Sequence, residues 1–387
     1  MKNGIRLLVQ LWEPLVPNYD LTYLTTDSIQ EGVGSSQILP LVVKMSERGL
    51  KVNLISYEKG RPSYLSERVI VEAGIDWTQL HFDRNTKFAP LKRLRELTGS
   101  ISSSNVIHAR SDIPAMSGIL SDMGPVLWDI RSLWTDQRLF IESNRMVRFG
   151  VLGARTIESF DAKHSSAIST LTNAVVPELE SRYKKLSKIR TVVPTAVDLR
   201  YFSFSPQMPR SVRMLFSGTY NAYYDLQLSS VFCDALKKKI AFETFWARPM
   251  ESPTRTLGLG EDRVLELNRS EMWPLISASS FGMSVCRNDA GVSLKAAVPT
   301  KIAEFLSVGR PVVINKGLGD FDEIFRAFDV GVILDGSSEN MLAGVEKILT
   351  LIEDPETPYR CRAVAEKYFS LDVGVENYLE IYGKLQQ

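Results

Sequence analysis

Pro299-Thr300-Lys301 opens a stretch of apolar residues at helical spacing, and Glu304 follows one turn later. Proline suits the first turn of a helix, where its missing N–H is no loss, and the backbone amides near Thr300 and Lys301 then lack intrahelical partners. Such amides attract an anion, and Lys301 adds a positive charge suited to phosphate oxygens. A carboxylate on the same side, as Glu304 provides, can accept two vicinal hydroxyls. Phosphate beside a diol is the chemistry of a nucleotide. Arg287, which follows the apolar run Phe281–Cys286, supplies another cation.

Four further places could carry chemistry. Glu31-Gly32-Val33-Gly34-Ser35-Ser36-Gln37 precedes a helical pattern, and its two glycines allow a ligand close to the backbone. It lacks the third glycine of a dinucleotide fingerprint and the lysine of a P-loop, so a tight turn with Ser35 as N-cap is an equal reading. His108 and Arg110 end the run Asn105–Ala109, and one of only three histidines stands there, as a ligand contact or as a satisfied structural histidine. Arg131 follows the run Val126–Ile130 and either faces a ligand or forms an internal ion pair with Asp129 or Asp136. Asp320-Phe321-Asp322 has the spacing of a metal-binding Asp-x-Asp, but its place after Gly317-Leu318-Gly319 reads as a helix N-cap and first turn.

Taken together, these residues resemble retaining glycosyltransferases of the GT-B fold, family 4, which use nucleotide-sugar donors. The resemblance covers nearly the whole chain: the Gly-Val-Gly turn, the His-Ala-Arg strand end, Val193-Pro194-Thr195-Ala196-Val197-Asp198, Phe216-Ser217-Gly218, and the block from Pro299 through Gly309-Arg310-Pro311-Val312-Val313. It implies a nucleotide on the second domain, with Glu304 on the ribose, and Gly218, Tyr220, Pro299 and Thr300 around the donor. Lys301 and Arg287 would hold the diphosphate, Gly32 and Gly34 would approach from the opposite domain, and His108 would touch the sugar. His108, Arg287 and Lys301 are then the catalytic candidates, and Arg110, Arg131 and Asp136 face the acceptor. A glycan, lipid-linked or small-molecule acceptor, retention of configuration, and no metal or other cofactor are implied by the resemblance alone.

The chain departs from the family pattern at two points. Many members carry two glutamates seven residues apart, and the first position is Ala296 here. Many also carry an arginine and a lysine after Phe-x-Gly, where this chain reads Gly218-Thr219-Tyr220-Asn221-Ala222-Tyr223-Tyr224. The alternatives are a non-catalytic sugar-nucleotide-binding or scaffold protein of the same fold, or a nucleotide-sugar epimerase.

The elements that would position these residues are legible as alternation. Strand-like runs at Ile5–Leu11, Lys51–Tyr57, Asn105–Ala109, Val126–Ile130, Ser166–Thr170 and Arg190–Val193 are followed by Val212–Ser217, Phe242–Ala247, Arg263–Leu267, Phe281–Cys286, Pro311–Asn315 and Val330–Leu334. Helical patterns lie between them. One carries Ile38, Leu41, Val42 and Met45, with Pro40 about one turn in removing a hydrogen bond, and stops at Gly49. The pattern predicts an α/β protein with two Rossmann-like, doubly wound parallel-sheet domains facing a cleft. The expected bounds are residues 1–204 and 205–370, the break falling in Asp198–Arg210, with residues 371–387 crossing back onto the first domain.

Composition narrows the rest. Of 387 residues, 46 are basic and 45 acidic, and a net charge of +1 argues against nucleic acid as the main partner. Three widely spaced cysteines fit a reducing cytosol, and neither a signal peptide nor a membrane span is evident. Two basic clusters stand out: Lys87, Lys92, Arg93 and Arg95 among leucines, and Arg182, Lys184, Lys185, Lys188 and Arg190. Each is a solvated helix face or, for a cytoplasmic protein, a place of peripheral contact with an anionic membrane.

Overall fold

The computed structural model describes residues 18–82, 89–249, 256–260, 262–267 and 271–387. The expected strand Ile5–Leu11 and Lys87 of the first basic cluster lie outside the described residues. Seven strands form the first sheet: β1 (Tyr19–Leu24), β2 (Val52–Glu58), β3 (Asp76–His81), β4 (Ser104–Arg110), β5 (Val126–Ile130), β6 (Ala167–Thr170) and β7 (Arg190–Val192). Their order is β3-β2-β1-β4-β5-β6-β7. Six form the second: β8 (Arg213–Ser217), β9 (Glu243–Arg248), β10 (Arg263–Glu266), β11 (Phe281–Ser284), β12 (Val312–Asn315) and β13 (Gly331–Leu334), in the order β10-β9-β8-β11-β12-β13. Every pairing is parallel, and in both sheets the order reverses beside the first strand, so the crevices for ligands lie at the carboxyl ends of β1 and β4 and of β8 and β11.

Helices cover both faces, which is why the central strands are buried without alternation; all seven residues of β2 are buried, Asn53, Ser56 and Glu58 among them. Two strands escaped the sequence pattern. In β1, Thr22 is buried, with its hydroxyl 2.6 Å from that of Ser104, and Asp20 interrupts the apolar run. In β3, an edge strand, no residue is fully buried. Pro40 falls at the start of the α-helix Leu39–Glu47, after a wider π-type turn over Gly34–Ile38, and not one turn inside a regular helix.

The final helix, Leu371–Leu385, buries Leu371, Val375, Tyr378, Ile381 and Tyr382 in the apolar cluster that holds Leu21, Val42, Met45 and Leu54. Lys44 pairs with Asp372 at 3.0 Å, and Arg48 with Glu376, so the exposed edge is fastened as well. Ahead of it, Val197 N–H donates to Phe369 O (2.7 Å) and Leu371 N–H to Val197 O (3.0 Å), stitching the two chain crossings between the lobes side by side. Among the described residues no helix is long and apolar enough to cross a membrane.

Candidate functional site

On the second sheet, β8 runs into Gly218, whose φ of 89° lies in the left-handed region that glycine adopts without strain. The turn that follows folds back: Tyr220 donates its hydroxyl to Met283 O (3.2 Å), and Arg287 N–H donates to Tyr223 O (3.0 Å). It therefore lies against the end of β11. Under it comes the helix Thr300–Val308, with Pro299 as its N-cap residue. Its first ladder bond runs from Ile302 N–H to Pro299 O (3.0 Å), so the amides of Thr300 and Lys301 precede the regular ladder.

Lys301 is buried, and its ammonium has no hydrogen-bond acceptor. It sits 4.3 Å from the centre of the Tyr220 ring and 4.4 Å from that of Tyr224. A Cβ at Gly218 would lie 3.7 Å from its Nζ. Burial pushes the ammonium down to about 8, against the opposing pull of Cys286 and Glu304. Cys286 provides no counter-charge, because burial pushes its thiol up to about 12. Aromatic faces offset part of the lost hydration, but an anion would offset more. Glu304 stands on the same helix face, half-buried. Gly218, Tyr220, Pro299, Thr300, Lys301 and Glu304 are thus gathered at the carboxyl edge of the second sheet.

Arg287 borders this group. Its guanidinium chelates Asp289 (3.0 and 2.6 Å) and lies 4.8 Å from the ring of Phe140, which belongs to the first domain. Beyond it, at the ends of β11, β12 and β13, Asn288, Gly291, Lys295, Lys316 and Asp335 border an open recess of about 460 Å³. Ala296, where the resemblance places a first glutamate, is packed in the apolar cluster of Ile130, Leu133, Val175 and Leu179 from the first domain. A carboxylate there would be stripped of water.

On the first sheet the glycine turn is held from beneath. The buried carboxylate of Glu58 accepts from Ser28 Oγ (2.5 Å), Ile29 N–H (3.1 Å), Gln30 Nε2 (2.9 Å) and Ser56 Oγ (2.7 Å). This folds residues 28–30 so tightly over the helix start that a Cβ at Gly34 would lie 1.8 Å from Ser28 O. Gly34 is needed for this packing, whereas Gly32 is exposed with open space around it. Ser35 does not cap the helix; its hydroxyl donates back to Gly32 O (3.1 Å). Glu58 gave no sequence signal, since its role depends on β2 ending beside a loop distant in the chain.

The expected sugar contact, His108, has no exposed surface. Its Nδ1 lies 2.6 Å from the Tyr382 hydroxyl and its Nε2 3.2 Å from Asp129 Oδ2. Burial pushes the imidazole below its ordinary value despite Asp129. Burial also opposes ionisation of Asp129, yet Arg131, His108 and Arg110 hold its carboxyl well below the usual carboxylate range. The neutral imidazole with its proton on Nε2 accepts from Tyr382 at Nδ1 and turns its N–H toward Asp129 Oδ2 at ion-pair distance, without hydrogen-bond geometry. Ser169 (2.7 Å) and Tyr378 (3.2 Å) donate to Asp129 Oδ1. Arg131 donates to Val193 O and to the Tyr378 hydroxyl, both at 3.1 Å. The His108 and Arg131 positions therefore bind the last helix to the first sheet.

The remaining acceptor-side candidates divide. Arg110 is mostly buried and donates to Asp27 (3.3 Å), and with Arg131, Gln37 and Tyr378 it borders a cavity of only about 20 Å³, room for one water. Asp136 is taken up by Arg182 (2.7 and 3.2 Å) and Arg155 (3.2 Å), so Arg182 is turned inward from the second basic cluster. Asp320 caps no helix with its side chain. It accepts instead from Asn173 N–H (2.7 Å), Asn173 Nδ2 (3.0 Å) and Ala174 N–H (2.8 Å) of the first domain. Thr172 Oγ1 to Lys295 O (2.6 Å) and Thr195 Oγ1 to Val298 O (2.8 Å) complete a polar seam between the lobes.

No family model and no curated protein sequence matches the chain. Solved structures do. A glycosyltransferase from Rickettsia africae is similar at 15% identity and a TM-score of 0.69, covering 95% of this chain and 99% of that one. Sucrose-phosphate synthase from Thermosynechococcus elongatus follows at 11% identity and 0.69, covering 94% and 98%. Anabaena HepE in complex with UDP-glucose follows at 12% and 0.67, covering 95% and 100%. At such identities the likeness carries the architecture, and the architecture is GT-B: two Rossmann-like domains on parallel sheets of seven and six strands.

Proposed function

We propose that this protein is a glycosyltransferase that moves a sugar from a nucleoside-diphosphate sugar to an acceptor held against the first domain, with retention and without a metal. The observation that carries the reading is Lys301: a buried ammonium without an acceptor, at the first turn of a helix, beneath Gly218 and one turn from Glu304. A diphosphate supplies the missing counter-charge, and Glu304 takes the ribose hydroxyls. The recess beside Asn288 and Lys316 is large enough for the donor's sugar. Two of the solved neighbours support the ligand class, since HepE is recorded with UDP-glucose and with UDP.

In the reaction the bond from the anomeric carbon to the diphosphate oxygen breaks, one to the acceptor oxygen forms, and the acceptor hydroxyl's proton passes to the leaving diphosphate. Negative charge grows on the leaving diphosphate. Lys301 and the amides of Thr300 and Lys301 are fixed donors that need no reorganisation as that charge appears. Tyr220 and Tyr224 shield Lys301 from solvent, which strengthens its pull on a diphosphate at the helix start. The apolar setting of Ala296 favours a second reading, a sugar-nucleotide-binding protein without turnover.

A thermal-shift panel of UDP-, GDP-, ADP- and TDP-sugars separates the outcomes. A ligand bound only by the folded state raises the melting point, by about 2.7 kcal/mol of stability at a hundredfold excess over Kd. Glu304→Ala is expected to abolish that shift with the fold intact. No shift from any nucleotide would sink both readings, and a shift without sugar transfer or donor hydrolysis would select the second.

A further inference from the structure

We propose that the helical hairpin formed by Trp134–Ile141 and Arg145–His164 docks the first domain onto an anionic bilayer surface. Its tip is rigid. Asn144 Oδ1 accepts from Met146 N–H (2.9 Å) and Val147 N–H (3.4 Å), and the Arg148 guanidinium donates to Leu139 O and to Glu142 O (2.9 Å). On this braced turn Met146 is 85% and Phe149 81% exposed, with Ile141, Val147 and Leu152 between 41% and 48%. Arg145, Phe149 and Leu152 are spaced four and three apart and so share one helix face, and Met146 adjoins it. Among the described residues nothing covers that face.

The charge around it selects the occupant. Between residues 136 and 157 the chain carries four arginines, at 138, 145, 148 and 155, and two acids; Glu142 pairs with Arg138 at 3.4 Å and Asp136 with Arg155 at 3.2 Å, while Arg145 and Arg148 pair with no acid among the described residues. Apolar tips inside a cationic rim match the acyl boundary and headgroups of an anionic bilayer. A second copy of the chain seated on the same patch would set arginine against arginine. The helix Tyr64–Glu72 also exposes Tyr64, Leu65 and Val71, but with Arg68 paired to Glu72 at 2.7 Å its remaining charge is Glu67, the wrong sign for such a surface.

Position gives the hairpin its use. Phe140, on the first of its helices, packs at 5.7 Å on the Tyr223 ring and under Arg287, so the patch adjoins the donor turn. A membrane-embedded acceptor would reach the crevice from there, a consequence that rests on the proposed glycosyl transfer. The basic helix Ala89–Ser100 is less suited: Arg93 is spent on the Phe82 and Tyr57 rings (4.7 and 5.8 Å), Lys92 pairs with Glu96 at 3.8 Å, and Leu91 alone is an exposed leucine there.

The test is flotation of the full chain with vesicles of phosphatidylcholine alone or mixed with phosphatidylglycerol. Recovery with the mixed vesicles, falling to background in the double variant Met146→Asp/Phe149→Asp, is expected. Arg145→Glu should weaken partitioning about fivefold or more and Leu65→Asp not at all. Both substituted apolar side chains lie in water, so an unchanged melting point and an unchanged response to nucleotide verify the fold and keep this outcome separate from the donor reading. Wild-type protein that stays with the soluble fraction, or a double variant that floats equally well, would overturn the proposal. So would dimerisation through the patch, seen as a concentration-dependent mass that the double variant loses.

Discussion

Lys301 is an ammonium stripped of water and facing two aromatic rings, an arrangement that destabilises the empty protein. The sign follows from burial. The folded state holds this proton less tightly than the unfolded chain does, so the penalty is full below pH 8 and is relieved as pH rises toward 10.5. Lys301→Met should therefore raise the melting point at pH 7, by up to roughly 3 kcal/mol of stability, while weakening diphosphate binding tenfold or more. In the wild type, affinity for UDP should decline toward tenfold per pH unit above pH 8, as the ammonium loses its proton. Calorimetric titrations from pH 6.5 to 9.5 read this directly, and a flat profile for the wild type would contradict it. The residues of this site were legible because helix N-termini announce themselves in sequence through Pro299 and the apolar spacing that follows. The stacking of Tyr220 and Tyr224 on Lys301 was not, since it arises from a turn that folds back over a helix more than seventy residues later.

The last helix shows how an element's place can be expected from sequence while the polar contacts that fasten it are not. The resemblance implied its crossing, but its polar anchors were left open: His108 read as a ligand contact or a structural histidine, and Arg131 as a ligand contact or an internal ion pair. In the fold those strand ends meet Tyr378 and Tyr382, which bond His108 Nδ1, Arg131 and Asp129 Oδ1 inside the core while His108 Nε2 and Asp129 Oδ2 make no hydrogen bond. Tyr382→Phe leaves His108 Nδ1 buried without a partner, which should lower stability by about 1–3 kcal/mol. Tyr378→Phe should cost a similar amount, since Asp129 and Arg131 each lose a contact. As both tyrosines serve the same His108–Asp129 pair, the double variant should depart from additivity by at least about 0.5 kcal/mol. Urea midpoints of the four proteins measure this, and strict additivity would show that the two hydroxyls act independently. The first strand was missed for a related reason: Thr22 satisfies its hydroxyl against Ser104 within the sheet, so a polar residue occupies a position where an apolar one is expected.

At the scale of the molecule, two parallel sheets were legible because repeated apolar runs separated by helical spacing admit few other arrangements. The acids that hold or strain the lobes were not, because burial of a carboxylate is a property of the assembled fold. Asp320 serves the seam, and Asp161 illustrates the opposite case. It is fully buried on the helix Arg145–His164 with neither oxygen hydrogen-bonded, near Glu158 and Asp112. Burial, then Asp112 and Glu158, push its carboxyl up to about 9, and burial with Glu158 pushes Asp112 to about 7. The folded state thus binds these protons more tightly than the unfolded chain, whose carboxyls titrate near 4. Their contribution is complete below pH 4 and is lost progressively as pH rises through 7 and 9. His108 acts in the reverse sense only below its ordinary value of 6.5, and Lys301 only above 8, so the interval from pH 6.5 to 8 isolates the acids. Across it the melting point should fall with a slope of up to about 1.4 kcal/mol per pH unit for each acid. Asp161→Asn keeps the shape, removes the ionisation, and should flatten that decline while leaving the protein more stable at pH 8. A parent whose stability rose across this interval, or an Asp161→Asn variant with an unaltered slope, would show that Asp161 is ionised in the folded protein and that a counter-charge reaches it.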